Sequence, residues 1–220
     1  MTNNQSIYNQ IALKGASLEE RLDRGANGSL SLYGEDSQGV KYLLKETRVG
    51  ENPKLLENEL KVYRHLVEEG AQVPILHEDY QDDSYGRPSD IAMQLINNAA
   101  TLGDYAEGYV EGKVPLATFK ELIQTSKEAI ESMHKVGIIH NDLHANNIVL
   151  SLVNNQWKAY IIDFGWSYFQ TKGVPKWMAR ERTWVAEDEE DDLKYLQADL
   201  EGRLPGDDPD FLRVTGILTE

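Results

Sequence analysis

The stretch His140-Asn141-Asp142-Leu143-His144-Ala145-Asn146-Asn147 decides how this chain reads, together with Asp163-Phe164-Gly165, which begins sixteen residues after Asn147. The first stretch is a polar loop between two apolar segments, Ile138-Ile139 before it and Ile148-Val149-Leu150 after it. A loop pinned on both sides in this way is held rigidly at an edge of the core. The second stretch directly follows the strand-like run Tyr160 to Ile162, which is reached through a turn at Asn154-Asn155. On the N-terminal side, Phe119, Leu122, Ile130 and Met133 keep one face of a helix from Pro115 to Lys135 apolar. Further back, Leu30 to Tyr33 and Val40 to Leu44 alternate around the turn-rich Gly34 to Gly39, which predicts an antiparallel hairpin. Asn52-Pro53 then caps a helix carrying Leu56, Leu60, Tyr63 and Val67, closed by Gly70. Ile75-Leu76 and Ile91 to Ile96 read as two more strands, with Glu78 to Asp90 as a polar loop between them. Beyond Gly165 regularity fades until about Leu193 to Leu200, and Glu187 to Asp192 reads as a solvated helix start.

Two carboxylates and an amide in this order suit phosphoryl transfer. That chemistry needs a magnesium ion bridging phosphates, a carboxylate near the attacking hydroxyl, and cations on the nucleotide. Magnesium takes hard oxygen ligands and only one or two protein carboxylates. Asp163 and Asn147 supply an anionic and a neutral oxygen as metal ligands, and Asp142 is left to orient and deprotonate the acceptor.

The loop His140 to Asn147 matches the H-x-D-x-x-x-x-N pattern, and Asp163-Phe164-Gly165 matches the D-F-G pattern, of the protein-kinase-like superfamily, which the chain therefore resembles. The spacing of 21 residues from Asp142 to Asp163 suits that family. The resemblance spans about residues 20 to 200. It implies an α+β, two-lobed kinase fold, with a strand-rich nucleotide-binding lobe over 1–98 and a helix-rich catalytic lobe over 99–220. It also implies a site. Leu22 to Leu30 fits the glycine-rich loop with its last two glycines, Gly25 and Gly28, whose backbone approaches phosphate oxygens. Lys45 stands where the family places its phosphate-binding lysine. Glu59 stands where the family places the partner glutamate; Glu57 competes with it but points off by about 200° around the helix. Backbone groups of Gln94 and Ile96, at the strand entering the hinge, meet the adenine edge. His140 packs behind the loop, and Asp192 resembles the buried aspartate that braces it. His65 and His134 read as ordinary, partly exposed helix histidines, and the four tryptophans as packing residues.

The departures from the family pattern are informative. Asp23 replaces the first glycine of the loop, and Leu43 replaces the small residue above the adenine. Asn141 replaces the arginine that answers a phosphorylated activation loop, which argues against that switch. His144, a further catalytic candidate, replaces the lysine typical of serine/threonine kinases and looks more like the aminoglycoside, choline and sugar phosphotransferases. No A-P-E motif follows Asp163, and 28 residues follow Asp192. The C-terminal lobe is thus expected to be truncated, resembling the RIO kinases, the small kinase of the tRNA-threonylcarbamoyl complex and bacterial effector kinases.

Composition sets the remaining bounds. A formal net charge of −15 over 220 residues, with no basic cluster, argues against a nucleic-acid partner. The absence of cysteine excludes a disulfide framework and thiolate metal sites. The polar start, Met1 to Gln10, is neither a signal peptide nor a membrane span, and no apolar run reaches membrane length. The expected protein is cytoplasmic, or delivered into a host cytosol as an effector. Its cofactors are ATP and magnesium, its acceptor is a protein or a small molecule, and a regulatory protein partner is compatible with it. Phosphorylation of serine or threonine leads; a small-molecule phosphotransferase and a pseudokinase scaffold are the alternatives.

Overall fold

The computed structural model describes residues 21–23, 29–35, 41–46, 53–82, 87–203, 214 and 216. Gly25, Gly28 and Asn52 lie outside the described residues.

The front of the chain forms a five-stranded antiparallel sheet in the order β1-β2-β3-β5-β4. Its strands are β1 (Arg21–Asp23), β2 (Ser29–Glu35), β3 (Lys41–Glu46), β4 (Leu76–Asp82) and β5 (Arg87–Gln94). Strand β3 lies between β2 and β5, with Lys45 opposite Leu30 on one side and Ile91 on the other. Helix α1 (Pro53–Glu68) packs on this sheet through Leu56 and Leu60, which join Ile91 and Met93 in one cluster. Leu43 packs against the same cluster. Gly70 ends the helix with φ of 73°, a left-handed conformation that costs glycine little.

The sequence-based expectation of a polar loop over 78–90 is corrected. Residues 78–82 and 87–90 are paired antiparallel strand, with Glu78 opposite Ala92 and Asp82 opposite Arg87. Strand pairing is carried by backbone amides, so polar residues prolong a ladder without an apolar signal to announce it. A second element escaped the sequence reading. Helix α2 (Leu102–Val110) starts at Thr101, whose hydroxyl accepts the Asp104 N–H at 3.1 Å while the Asp104 carboxylate accepts the Thr101 N–H at 2.8 Å. Thr101 and Asp104 stand three apart as a capping box, a signal that was legible.

The back of the chain is built on helix α3 (Leu116–Lys135), whose Phe119, Leu122, Ile130 and Met133 are all buried. A three-stranded sheet pairs β6 (Ala99–Thr101) with β8 (Ile148–Val153) and β8 with β9 (Gln156–Ile161). Asn154 and Asn155, at φ of 51° and 61°, make the tight turn between β8 and β9. The two-residue strands β7 (Ile138–Ile139) and β10 (Tyr168–Phe169) pair with each other. A short helix α4 (Met178–Glu181) precedes α5 (Glu189–Gly202), which opens with Asp188 accepting the Asp191 N–H. One core joins the two ends of the chain, from Val62, Tyr63 and Leu66 of α1 to Phe119, Ile130, Leu143, Phe164 and Leu196. Phe164 is fully buried and meets Tyr63 edge-on at 5.6 Å. That contact seats α1 on the segment after β9.

Candidate active site

The site forms where β3, α1, the loop after β7 and the end of β9 converge. Lys45 Nζ donates to Glu59 Oε2 at 2.6 Å and to Asp163 Oδ1 at 2.9 Å. Glu59 sits one residue before Leu60 on the buried face of α1, whereas Glu57 is exposed. Desolvation alone would lower the Lys45 pKa, but the carboxylates of Glu59 and then Asp163 outweigh it and hold the ammonium well above its ordinary value. Burial pushes Glu59 up to about 7, with repulsion from Asp163 adding to the rise against the pull of Lys45. Burial opposes the charge of Asp163 too, yet Lys45 prevails there, with smaller help from His140 and His144, and holds the carboxyl below its ordinary value.

Helix α1 is tied to the D-F-G backbone by a residue the sequence did not single out. Asn58 Nδ2 donates to the carbonyls of Gly165 at 3.0 Å and Ser167 at 2.7 Å. Asp163 itself is left-handed, at φ 66° and ψ 66°. For a non-glycine residue this conformation is uncommon and clusters at functional sites.

The loop from His140 to Asn147 is braced from below. Asp192 is fully buried and accepts three hydrogen bonds, from His140 N–H at 2.6 Å, from Asn141 N–H at 2.7 Å and from His134 Nε2 at 3.0 Å. His134 is therefore a buried member of this brace, which corrects its reading as a partly exposed histidine. The sequence held no sign of the brace, because the partner lies 58 residues away. Asp199, seven residues after Asp192 and hence two turns along the same face of α5, accepts the Ala145 N–H at 2.8 Å. His140 packs against Phe164 and makes a 3.0 Å hydrogen bond with the Ile162 carbonyl. Ser167 Oγ donates to the His140 carbonyl at 3.0 Å.

Asn147 spends its amide N–H on the Asp142 carbonyl at 2.9 Å, which leaves its side-chain oxygen for another partner. Its own carbonyl accepts the Ile162 N–H at 3.0 Å, so Asn147 and the approach to Asp163 are stitched together. His144 is half-buried, and its imidazole makes no hydrogen bond to another described residue. The Gln94 N–H donates to the Ile75 carbonyl at 2.8 Å, so Gln94 has only its carbonyl to offer a nucleotide edge. Ile96 follows in the irregular segment after β5.

Asp142 is paired rather than open. Arg182 donates from Nη2 to Asp142 Oδ1 at 2.6 Å and from Nη1 to the Asn141 carbonyl at 2.5 Å. Its guanidinium lies 4.5 Å from the Trp166 ring centre, which fixes the plane of the fork. Asn141, left-handed at φ 61°, donates to the Trp166 carbonyl and accepts the Ala186 N–H at 2.8 Å. Asn141 thus joins its loop by direct hydrogen bonds to the segment after Asp163.

Residues 17–189 match the family model described as the protein kinase domain. A calcium/calmodulin-dependent protein kinase type 1 of Macrobrachium nipponense is 30% identical over 120 residues, covering 54% of this chain and 32% of its own length. Calcium-dependent protein kinase 5 of Arabidopsis thaliana is 24% identical over 162 residues, covering 71% of this chain and 28% of its own length. The chain thus spans between about a tenth and a third of the length of the curated relatives it matches. Among solved structures, WaaP in complex with acyl carrier protein superposes with a TM-score of 0.58 over 97% of this chain and 83% of its own, at 18% identity. This chain belongs to the protein kinase domain family.

Proposed function

We propose that this chain is an ATP- and magnesium-dependent phosphotransferase that phosphorylates a hydroxyl, on serine or threonine of a protein. The observation that carries the reading is the ion-paired triad of buried Lys45 and Glu59 with half-buried Asp163, with Asn147 and Asp142 on the adjoining loop. In this reading Lys45 holds nucleotide phosphates and Glu59 positions it. Asp163 and Asn147 are the candidate magnesium ligands, one carboxylate and one amide oxygen, a donor set that suits an ion which keeps waters and takes phosphate oxygens. When bound, magnesium supplies charge neutralisation on the phosphates. The adenine edge falls to Gln94 and Ile96, and Gly25 and Gly28 cover the phosphates. We place the division between the two lobes after residue 98.

The acceptor oxygen forms its bond to the γ-phosphorus as the bond to the β-phosphate oxygen breaks, and the hydroxyl proton passes to the Asp142 carboxylate. Orientation comes first and proton removal second, since the transition state is loose. His144 stands on the same loop and adds a polar group beside the phosphates. Its presence in place of lysine favours the second reading, a small-molecule acceptor. Incubation with γ-labelled ATP and magnesium separates these readings. Label on protein substrates supports the first and label on added metabolites alone the second. No turnover in a folded, nucleotide-binding protein leaves a scaffold role.

A further inference from the structure

The chain is strongly acidic, yet Lys172 to Arg182 runs against that trend. This stretch holds Lys172, Lys176, Arg180 and Arg182 against the single acid Glu181, a net of +3 where the whole chain carries −15. Lys176 and Arg180 are exposed. Arg182 turns inward and reaches the carboxylate proposed to meet the acceptor. The run that follows, Glu187 to Asp192, is acidic, and several of its carboxylates have partners of their own. Asp188 caps α5, Asp191 accepts the Glu187 N–H, Asp192 is buried under the catalytic loop, and Glu190 pairs with Lys194.

Resting on the serine/threonine reading above, we infer that the segment from Lys172 to Arg182 is an acceptor subsite for anionic groups, selecting a hydroxyl flanked by carboxylates. The Arg182 guanidinium sits on Asp142 Oδ1 at 2.6 Å and occupies the place an acceptor hydroxyl would take on that oxygen. A carboxylate brought by the acceptor matches the same planar fork and takes over Arg182, which releases Asp142 toward the hydroxyl. Lys176 and Arg180 steer the acidic flanks to that point. An acceptor with basic flanks meets repulsion here and leaves Asp142 engaged. The exchange makes acceptor binding and activation of the carboxylate one event.

The experiment uses serine-centred peptides flanked by aspartate, alanine or lysine. Binding is read by fluorescence anisotropy of labelled peptides, and transfer by kcat/KM with labelled ATP. The aspartate peptide is expected to bind about tenfold tighter than the alanine peptide, the size of two or three partly exposed ion pairs. The double reversal Lys176→Glu and Arg180→Glu, at exposed positions, should bring that ratio to about one. Arg182→Gln should raise KM for the aspartate peptide without lowering kcat, since Asp142 is then already released. If that variant fails to fold, the double reversal decides alone. Equal binding of the three peptides, or an aspartate preference that survives the double reversal, overturns the inference. Labelling without acidic preference leaves the kinase reading standing and removes this one. Acidic binding without labelling of any peptide does the opposite.

Discussion

At the scale of single residues, the proposed chemistry falls on Asp142 and Lys45. Asparagine is nearly isosteric with aspartate but cannot accept the proton. Asp142→Asn should therefore lose roughly 10²–10⁴ in single-turnover rate, while ATP affinity stays within a few-fold. A mutant that transfers at the parent rate would overturn the assignment. Because Arg182 is bound to this carboxylate, Asp142→Asn and Arg182→Gln should not be additive in stability. Lys45 is held by two carboxylates, so its position depends on both. Glu59→Gln should reproduce part of the Lys45→Met defect, and a double-mutant cycle on the transfer rate should show coupling. Fully additive losses would mean that the ion pair does no positioning.

At the scale of elements, helix α5 is a keel for the catalytic loop. Asp192 and Asp199 take backbone N–H groups from its two ends, at His140, Asn141 and Ala145. Removing the Asp192 carboxylate strands two buried N–H groups and the His134 ring. Asp192→Ala should cost about 3–5 kcal/mol in urea unfolding, since hydrogen bonds to a charged acceptor are the stronger kind and orphaned donors add their own penalty. A loss below about 1 kcal/mol would show that the loop is held by other means. The segment after Asp163 is held in a similar way, by Asn141 to Trp166 and Ala186 and by the Tyr168 hydroxyl to the Ala186 carbonyl at 2.7 Å. These bonds tie the segment directly to the loop from His140 to Asn147. Phosphatase treatment of purified protein should therefore leave activity unchanged. A large loss traced to a phosphate between Phe164 and Trp184 would refute this.

At the scale of the whole molecule, burial of ionisable groups links stability to pH. Desolvation pushes the His140 imidazole below its ordinary value, against the pull of Asp192, the Ile162 carbonyl, Asp142 and Asp163. As pH falls below about 6.5 the unfolded chain takes up this proton before the folded one, so the contribution of His140 is present above that pH and lost below it. Glu59 acts in the opposite sense. Its folded value near 7 lies above the ordinary carboxylate range, so its contribution is present at low pH and declines as pH rises through about 4.3 to 7. The two overlap, and a substitution is needed to separate them. The difference in Tm between the parent and His140→Gln should shrink as pH falls from about 7.5 to about 5.5. A difference that grows over this range would show that the ring is protonated in the folded protein.

What the sequence by itself determined is what short spacings encode. His140 to Asn147 and Asp163 to Gly165 are local patterns between apolar runs, and they identified the fold. The stripe of α3 was equally plain, because a helix repeats its buried face every three or four residues. Glu59 could be preferred over Glu57 for the same reason. The pairing of 76–82 with 87–94 was partly hidden, because its ladder is made of backbone groups common to every residue. The tertiary structure alone decided the rest of the site. Arg182 lies 40 residues from Asp142, Asn58 lies 107 from Gly165, and Asp199 lies 54 from Ala145. Nothing in their immediate neighbours marks them, since an arginine or aspartate on a polar stretch has the same local chemistry whether it faces water or a partner. Only the packing of the chain around the core brings each of these side chains to its partners.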